Sequence, residues 1–355
     1  MQITLITYLT QEVWRLSQAK RFGQSLRVES VRNSLSRFFR IHGIKDVTMP
    51  ALTSYIICIY QQWLTDNGLK KNSVSCYMRT LQSIYNKAMI GLPAPAESPF
   101  IHAYRGIAKT KKRAASISVM QKLQALDIHQ GLIKIGKQPG HKAFSTTLNK
   151  MLFARDLFIF CYCAQGMAFV DAAYLKKQDV RNGIIHYHRR KTGQLIEVAI
   201  EPIMQEIIDR YAESTEGTPY LFPILPQADE KATYHAYRTA LRTHNSRLKM
   251  LSGMLDEDIC LSSYVARHSW ASNMHEMNMP LSIISQGLGH DSELTTQIYI
   301  KSLENSVIHE ANRAFVNHVF SHPFLPMKGI FFGKMPRKGM NLCSKEGCLG
   351  AENGV

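Results

Sequence analysis

The stretch Tyr264–Tyr299 reads YVARHSWASNMHEMNMPLSIISQGLGHDSELTTQIY and sets an arginine, a histidine and a tyrosine in a fixed order, Arg267, His290, Tyr299. A guanidinium can hold a phosphate, an imidazole can donate a second hydrogen bond, and a phenol can act as an oxygen nucleophile. Phosphodiester transesterification needs those three groups. Each has a bland alternative when taken alone. A tyrosine on a helix is more often a packed aromatic, an arginine can bridge helices, and a histidine after Leu-Gly can cap a helix.

Order and spacing together carry more than any one residue. The series Arg267, Leu-Gly-His290, Tyr299 resembles the C-terminal boxes of the tyrosine recombinases, or phage integrases. The resemblance implies that Tyr299, in TTQIYIKS, is the nucleophile, that Arg267 grips the scissile phosphate, and that His290 donates to the phosphate or supports Tyr299. It also implies that Lys191, in RRKTGQ, protonates the leaving oxygen. A turn lysine exposed to solvent is the alternative there.

Two positions depart from the family pattern. Tyr264 stands three residues before Arg267, where the family usually has histidine. A phenol donates a hydrogen bond but is a poor proton shuttle near neutral pH. The family's first arginine lies in an R-x-S-E helix turn, resembled here by AQGMAFVDAAYL; if Asp171 matches the acidic residue, Ala168 takes the arginine position. A methyl cannot touch a phosphate, and losing one transition-state donor typically costs on the order of 10²–10³ in rate. Arg189 is the candidate replacement. It lies two residues before Lys191, and on a strand both side chains would project from one face.

The elements that must position these groups are mostly helical. Residues 5–42 show apolar positions at helical spacing, with Arg32, Arg37 and Arg40 interleaved. Pro50 is expected to open a second helix that Asn67-Gly68 stops, and Asn72 or Ser73 to cap a third. The prolines and the KTKKR run between Pro93 and Ser118 read as a basic linker. From about residue 145 a larger domain begins, with Thr146 or Thr147 capping a long helix through MLFARDLFIFCYCAQGMAFVDAAYL. GIIHYHRR and QLIEVAI alternate as a β-hairpin joined at Lys191–Gln194, and helices return from Pro202 through Val316.

The expected fold is therefore mainly α with a small hairpin, an α+β arrangement. The resemblance implies that residues 1–105 form a helical core-binding, SAM-like domain, 106–144 a basic linker and lead-in, 145–320 the catalytic integrase domain, and 321–355 an irregular tail. The resemblance covers roughly residues 5–316. It implies a double-stranded DNA partner, a monomer when free, four protomers on paired sites, and exchange of a helix near Val307–Phe315 between neighbours.

Charge agrees with a polyanionic partner. The 355 residues carry a formal net charge of +16, and residues 1–115 hold seventeen Lys/Arg against five Asp/Glu. Arg79, Lys109, Lys111, Lys112 and Arg113 are the candidate DNA contacts. No run reaches the roughly 18 apolar residues of a membrane span, and the N-terminus lacks the basic region of a secretory signal. Seven scattered cysteines suit a reducing cytoplasm, here expected to be prokaryotic and nucleoid-associated, with Cys343 and Cys348 a weak pair in the tail.

No phosphate-cradling loop and no convincing metal spacing occurs, and a phosphotyrosine conserves bond energy, so no cofactor is expected. The functional expectation is a site-specific recombinase working through a 3′-phosphotyrosyl link at Tyr299. Two alternatives stand beside it: a catalytically weakened DNA-binding relative, and a type IB topoisomerase.

Overall fold

Helix α1 (Leu5–Gln18) folds back on α2 (Phe22–Ile41) through a turn in which Lys20 takes φ +56°. The turn breaks what the spacing reads as one helical stretch over 5–42. Helices α3 (Ser54–Asp66) and α4 (Lys71–Ala88) complete the first layer. Their apolar faces bury Leu9, Leu35, Phe38, Ile57, Tyr60, Met78 and Leu81 in one cluster, and the Tyr60 hydroxyl donates to Ser34 Oγ at 2.9 Å. The computed structural model describes residues 3–93, 95–108, 113–226 and 229–289, all within the compact unit Met1–Lys301.

A second cluster forms around α7 (Lys142–Cys163), whose buried Met151, Ala154, Leu157, Phe158 and Phe160 face every direction. A helix apolar all round must be covered all round. It is flanked by α5 (Ile117–Ala125), α6 (Ile128–Lys134), α9 (Pro202–Tyr211), α10 (Glu230–Ser252) and α11 (Ser263–Glu276). Short helices α8 (Phe169–Tyr174) and α12 (Leu281–Leu288) lie at its edge.

Strands β1 (Val180–Arg181), β2 (Ile184–His188) and β3 (Leu195–Ala199) make an antiparallel sheet in the order β1-β2-β3. Ile185 pairs with Val198 and Tyr187 with Ile196, and all four are buried, while His186 and Glu197 pair outside. This is the period of two that the sequence shows. The mainly helical, α+β expectation is met.

Several local expectations are corrected. Pro50 sits in a 3₁₀ turn, Met49–Ala51, and α3 starts later at Ser54, capped by Thr53 Oγ1. Helix α4 starts at Lys71, so neither Asn72 nor Ser73 is its cap. Helix α7 starts at Lys142, with Thr146 and Thr147 bonding back to the carbonyls of Lys142 and Ala143 inside it. The stretch expected as linker and lead-in, 106–144, holds α5 and α6. The long helix through Leu175 breaks after Cys163, because Gln165 and Gly166 both turn left-handed (φ +54° and +68°) before α8 begins.

Two contacts join the helical layer to α10: Lys20 Nζ lies 2.8 Å from Glu230, and the Phe22 and Tyr234 rings are 5.6 Å apart. The expectations for Tyr299, His290, Lys109, Lys111, Lys112, the helix near 307–315, Cys343, Cys348 and the tail fall outside the described residues. Among the described residues no helix is long and apolar enough to cross a membrane.

Candidate active site and DNA-contacting surfaces

The break between α7 and α8 brings a backbone carbonyl to Arg267. A Cβ on Gly166 would lie 2.9 Å from Arg267 Cα, so only glycine lets the turn approach α11 this closely. Arg267 is 2% exposed and donates Nη1 to Gly166 O at 3.0 Å. Its Nη2 donates to Leu288 O, the last carbonyl of α12. A guanidinium this buried is tolerable only with its donors engaged.

Arg189 reaches the same carbonyl from the sheet. Its Nη1 donates to Leu288 O at 3.0 Å and to Gly289 O at 2.6 Å. The last carbonyls of a helix have no intrahelical partners and carry its negative end, so two guanidiniums satisfy them well. Among the described residues, the Nε of Arg189 is buried without a hydrogen-bond partner. A partnerless buried donor is uncommon in folded proteins.

Strand geometry is not what places Arg189. β2 ends at His188, so the alternation that would put Arg189 and Lys191 on one face does not extend to the turn. Arg189 turns inward and is buried, whereas Lys191 is exposed in the turn. Two main-chain bonds hold the turn, Arg189 N–H to Gln194 O at 2.8 Å and Gly193 N–H to Arg189 O at 2.7 Å. Arg190 is committed elsewhere: its guanidinium lies 3.8 Å over the Tyr174 ring.

Asp171 on α8 ties the turn down, its Oδ1 accepting from the Arg190 backbone N–H at 2.9 Å. Burial pushes its carboxyl above the ordinary carboxylate range, opposed by that N–H and by the charges of Arg189, Arg267 and Arg190. Ala168 is the N-cap residue of α8 and its side chain contributes no cap bond. Tyr264 is 50% exposed and packs edge-on against His268, with ring centroids 4.7 Å apart. The structure thus gathers Arg189, Arg267 and Asp171, and leaves Tyr264 and Lys191 at the surface.

A second basic site lies on the helical layer. A groove of about 710 Å³ is lined by Arg15, Arg21, Arg27, Arg79 and Lys87, together with Glu12. Buried Glu12 accepts from Arg15 Nε at 2.8 Å and from Lys87 Nζ at 2.8 Å. The Arg15 bond, seconded by Lys87, draws the Glu12 carboxyl down to about 2 against the opposing effect of burial. Arg21, Arg27 and Arg79 have no acidic partner among the described residues. Only Arg79 of this set is foreseen from sequence; helix faces brought together from α1, α2 and α4 supply the rest.

Asn72, expected as a helix cap, is used elsewhere. Its side chain pairs with the Ala108 backbone in both directions, Nδ2 to Ala108 O at 2.9 Å and Ala108 N–H to Oδ1 at 2.7 Å. On the far side of the basic run, Ala115 N–H donates to Ser269 Oγ on α11 at 2.8 Å. Ala108 and Ala115, described residues on either side of the basic run, are thus each held by hydrogen bonds.

The sequence matches the phage integrase SAM-like domain over residues 4–91 and the phage integrase family over residues 141–306. The chain belongs to the phage integrase family. This is a family of DNA-binding, tyrosine-type site-specific recombinases. The integrase chain is 23% identical over 274 residues to tyrosine recombinase XerA of Pyrococcus furiosus, covering 70% of this chain and 90% of that one. In fold it is similar to a Tn1549 transposon integrase in complex with transposon right-end DNA, with a TM-score of 0.59 and 11% identity, covering 89% and 99% of the two chains. A lambda integrase dimer bound to a core site gives a TM-score of 0.57 at 17% identity, covering 84% and 77%. A lambda integrase tetramer bound to a Holliday junction gives 0.55 at 15%, covering 85% and 79%.

Proposed function

We propose that the protein is an active site-specific DNA recombinase in which Arg189 takes the place of the family's first arginine. The observation that carries this reading is the convergence of Arg189 and Arg267 on Leu288 O, with Arg189 Nε buried and unsatisfied among the described residues. Two adjacent guanidiniums match the two non-bridging oxygens of a phosphodiester. They would stabilise most strongly the charge that develops in the transition state.

In the cleavage step the Tyr299 oxygen bonds to phosphorus and the bond to the 5′ oxygen breaks. Lys191 supplies a proton to that leaving oxygen, which its exposed turn allows once DNA covers it. His290 donates to the phosphate or supports Tyr299. The phenolic proton passes to a base, a role the half-exposed Tyr264 phenol fills poorly near neutral pH. The 3′-phosphotyrosyl link retains the energy for rejoining, so the step needs neither ATP nor a metal.

The helical domain, with its Arg21–Arg27–Arg79 groove, and the basic run would grip the DNA backbone while the catalytic domain holds the scissile site. The lambda integrase tetramer on a Holliday junction supports a four-protomer assembly for this chain as well. Trapping on a nicked suicide substrate tests the reading: a covalent protein–DNA adduct should form and should vanish in Tyr299→Phe.

The second reading is a DNA-binding relative that has lost cleavage. Ala168 at the cap of α8 and the outward Tyr264 favour it. Sequence-specific binding with no adduct on any nicked substrate would establish it.

A further inference from the structure

The Leu288–Gly289 carbonyls lie against Arg189 in a way that ordinary helix termination does not require. Gly289 takes a left-handed conformation, φ +61° and ψ +55°, as the residue that ends α12. That turn aims its carbonyl at Arg189 Nη1, 2.6 Å away, and leaves Leu288 O 3.0 Å from the same nitrogen. A Cβ at position 289 would lie 2.5 Å from Ile196 Cδ1, 3.0 Å from Arg189 Cδ and 3.1 Å from Gln194 Oε1. The absent side chain therefore makes room for both the stem of Arg189 and the β3 residue beside it.

We propose that Gly289 is a positioning residue for the cleavage reaction, clamping Arg189 by one guanidinium nitrogen so that its other edge is presented to the scissile phosphate. The inference rests on the reading of Arg189 as a phosphate ligand.

The geometry accounts for the division of labour within one side chain. Arginine offers five donors in a rigid planar fork. Two carbonyls take up Nη1, and among the described residues neither Nε nor Nη2 has a hydrogen-bond partner. Nε and Nη2 form the side-on edge that meets two oxygens of a phosphate at once. Held by Nη1, the guanidinium keeps that edge in place before substrate arrives, which spares the reaction the cost of ordering it. The clamp also links the two arginines, since Leu288 O accepts from both. A shift of the α12 terminus would then move both donors together.

The residue next in the chain is His290, so the same turn that fixes Arg189 starts the segment leading to Tyr299. A chain with its first arginine on α8 would have no need of this clamp. A chain that draws the donor from the hairpin needs something to hold it, and the end of α12 is what lies against it.

The test is a double-mutant cycle read as the single-turnover rate of covalent adduct formation on a nicked substrate, with DNA affinity and thermal stability measured in parallel. Gly289→Ala should slow adduct formation at least about tenfold, toward the rate of Arg189→Ala. The double variant should be no slower than Arg189→Ala alone, because the glycine acts through the arginine. A double variant that loses the product of the two single effects overturns the clamp, as does a Gly289→Ala protein that cleaves at the wild-type rate.

A folding defect is distinguished by Gly289→Ala combined with Ile196→Val, which removes the Cδ1 nearest the new methyl. Stability should recover while cleavage stays slow, since the contact with Arg189 Cδ remains. Recovery of the rate along with stability overturns the proposal. If Arg189→Ala itself cleaves normally, the reading of Arg189 as a phosphate ligand fails, and the clamp falls with it.

Discussion

Arg189, from the β2–β3 turn, and Arg267, from α11, donate to one and the same acceptor, the carbonyl oxygen of Leu288. The two side chains come from different elements and are both buried, at 7% and 2% exposure. Two like charges side by side at low exposure repel, and the carboxylate of Asp171 and the end of α12 provide the compensating negative charge. This pair is the proposed seat of the scissile phosphate.

Charge alone should not suffice at position 189. Arg189→Lys keeps the positive charge, but one ammonium cannot both hold the α12 carbonyls and present a two-donor edge. Single-turnover cleavage should fall by at least about tenfold while binding to the intact site changes little. A lysine variant that cleaves like wild type would show that only a point charge is required there.

The family's usual arrangement can be tested as a rescue. In an Arg189→Ala background, Ala168→Arg places a guanidinium at the cap of α8, close to Asp171 in sequence and in space. Adduct formation should recover in part relative to Arg189→Ala alone. No recovery, in a double variant that folds and binds DNA, would indicate that the α8 cap and the hairpin do not address the same phosphate.

Binding should depend on the groove and on the Asn72 anchor. Arg79→Ala should weaken binding to specific and nonspecific duplexes alike and lower the salt slope of the affinity by about one. Asn72→Ala frees the Ala108 backbone and should weaken binding with little effect on the cleavage rate at saturating protein. Gel-shift titrations across salt concentrations check both. A change confined to one sequence would point to base readout instead.

Two buried titratable groups should shape the acid limb of stability. His244 stacks on Phe169 with centroids 4.8 Å apart, and desolvation, aided by Arg247, pushes it down to about 3. It is therefore buried neutral, so its contribution is complete above its unfolded pKa, about 6.5. That contribution is lost as pH falls toward about 3, at up to about 1.4 kcal/mol per pH unit. Glu12, lowered from 4.5 to about 2, adds a loss that begins as pH falls through about 4.5 and is complete below about 2. Denaturant melts should show stability falling from about pH 6.5 downward, with the upper part of that slope flattened in His244→Phe. An unchanged slope in that variant would contradict the assignment.

Much of this was legible in the sequence, and what was not has identifiable causes. Period-two alternation gives the hairpin, because one face is buried and one is wet. Arg267 is placed by its spacing to Leu-Gly-His290 and Tyr299, which carries the family. The starts of α3 at Ser54 and α4 at Lys71 differ from expectation because Pro50 and Asn72 are ambiguous local signals, and Asn72 is spent on a contact 36 residues away.

The break before α8 was hidden within a continuous apolar run, where Gln165 takes the left-handed conformation that sequence rarely announces. Arg189 was named for a reason that does not hold, alternation along a strand that ends one residue earlier. Its actual placement comes from carbonyls about a hundred positions away. The groove of Arg15, Arg21, Arg27, Arg79 and Lys87 needs α1, α2 and α4 to assemble, so no local pattern reveals it.

The central claim is that Arg189 and Arg267 act together on the phosphate that Tyr299 attacks. The most direct measurement is the single-turnover rate of covalent adduct formation on a nicked cognate site for wild type, Arg189→Ala, Arg267→Ala and Tyr299→Phe. The account predicts no adduct with Tyr299→Phe, and losses on the order of 10²–10³ for each arginine variant with DNA binding largely kept. An Arg189→Ala protein that forms adduct at the wild-type rate while Arg267→Ala does not would contradict it.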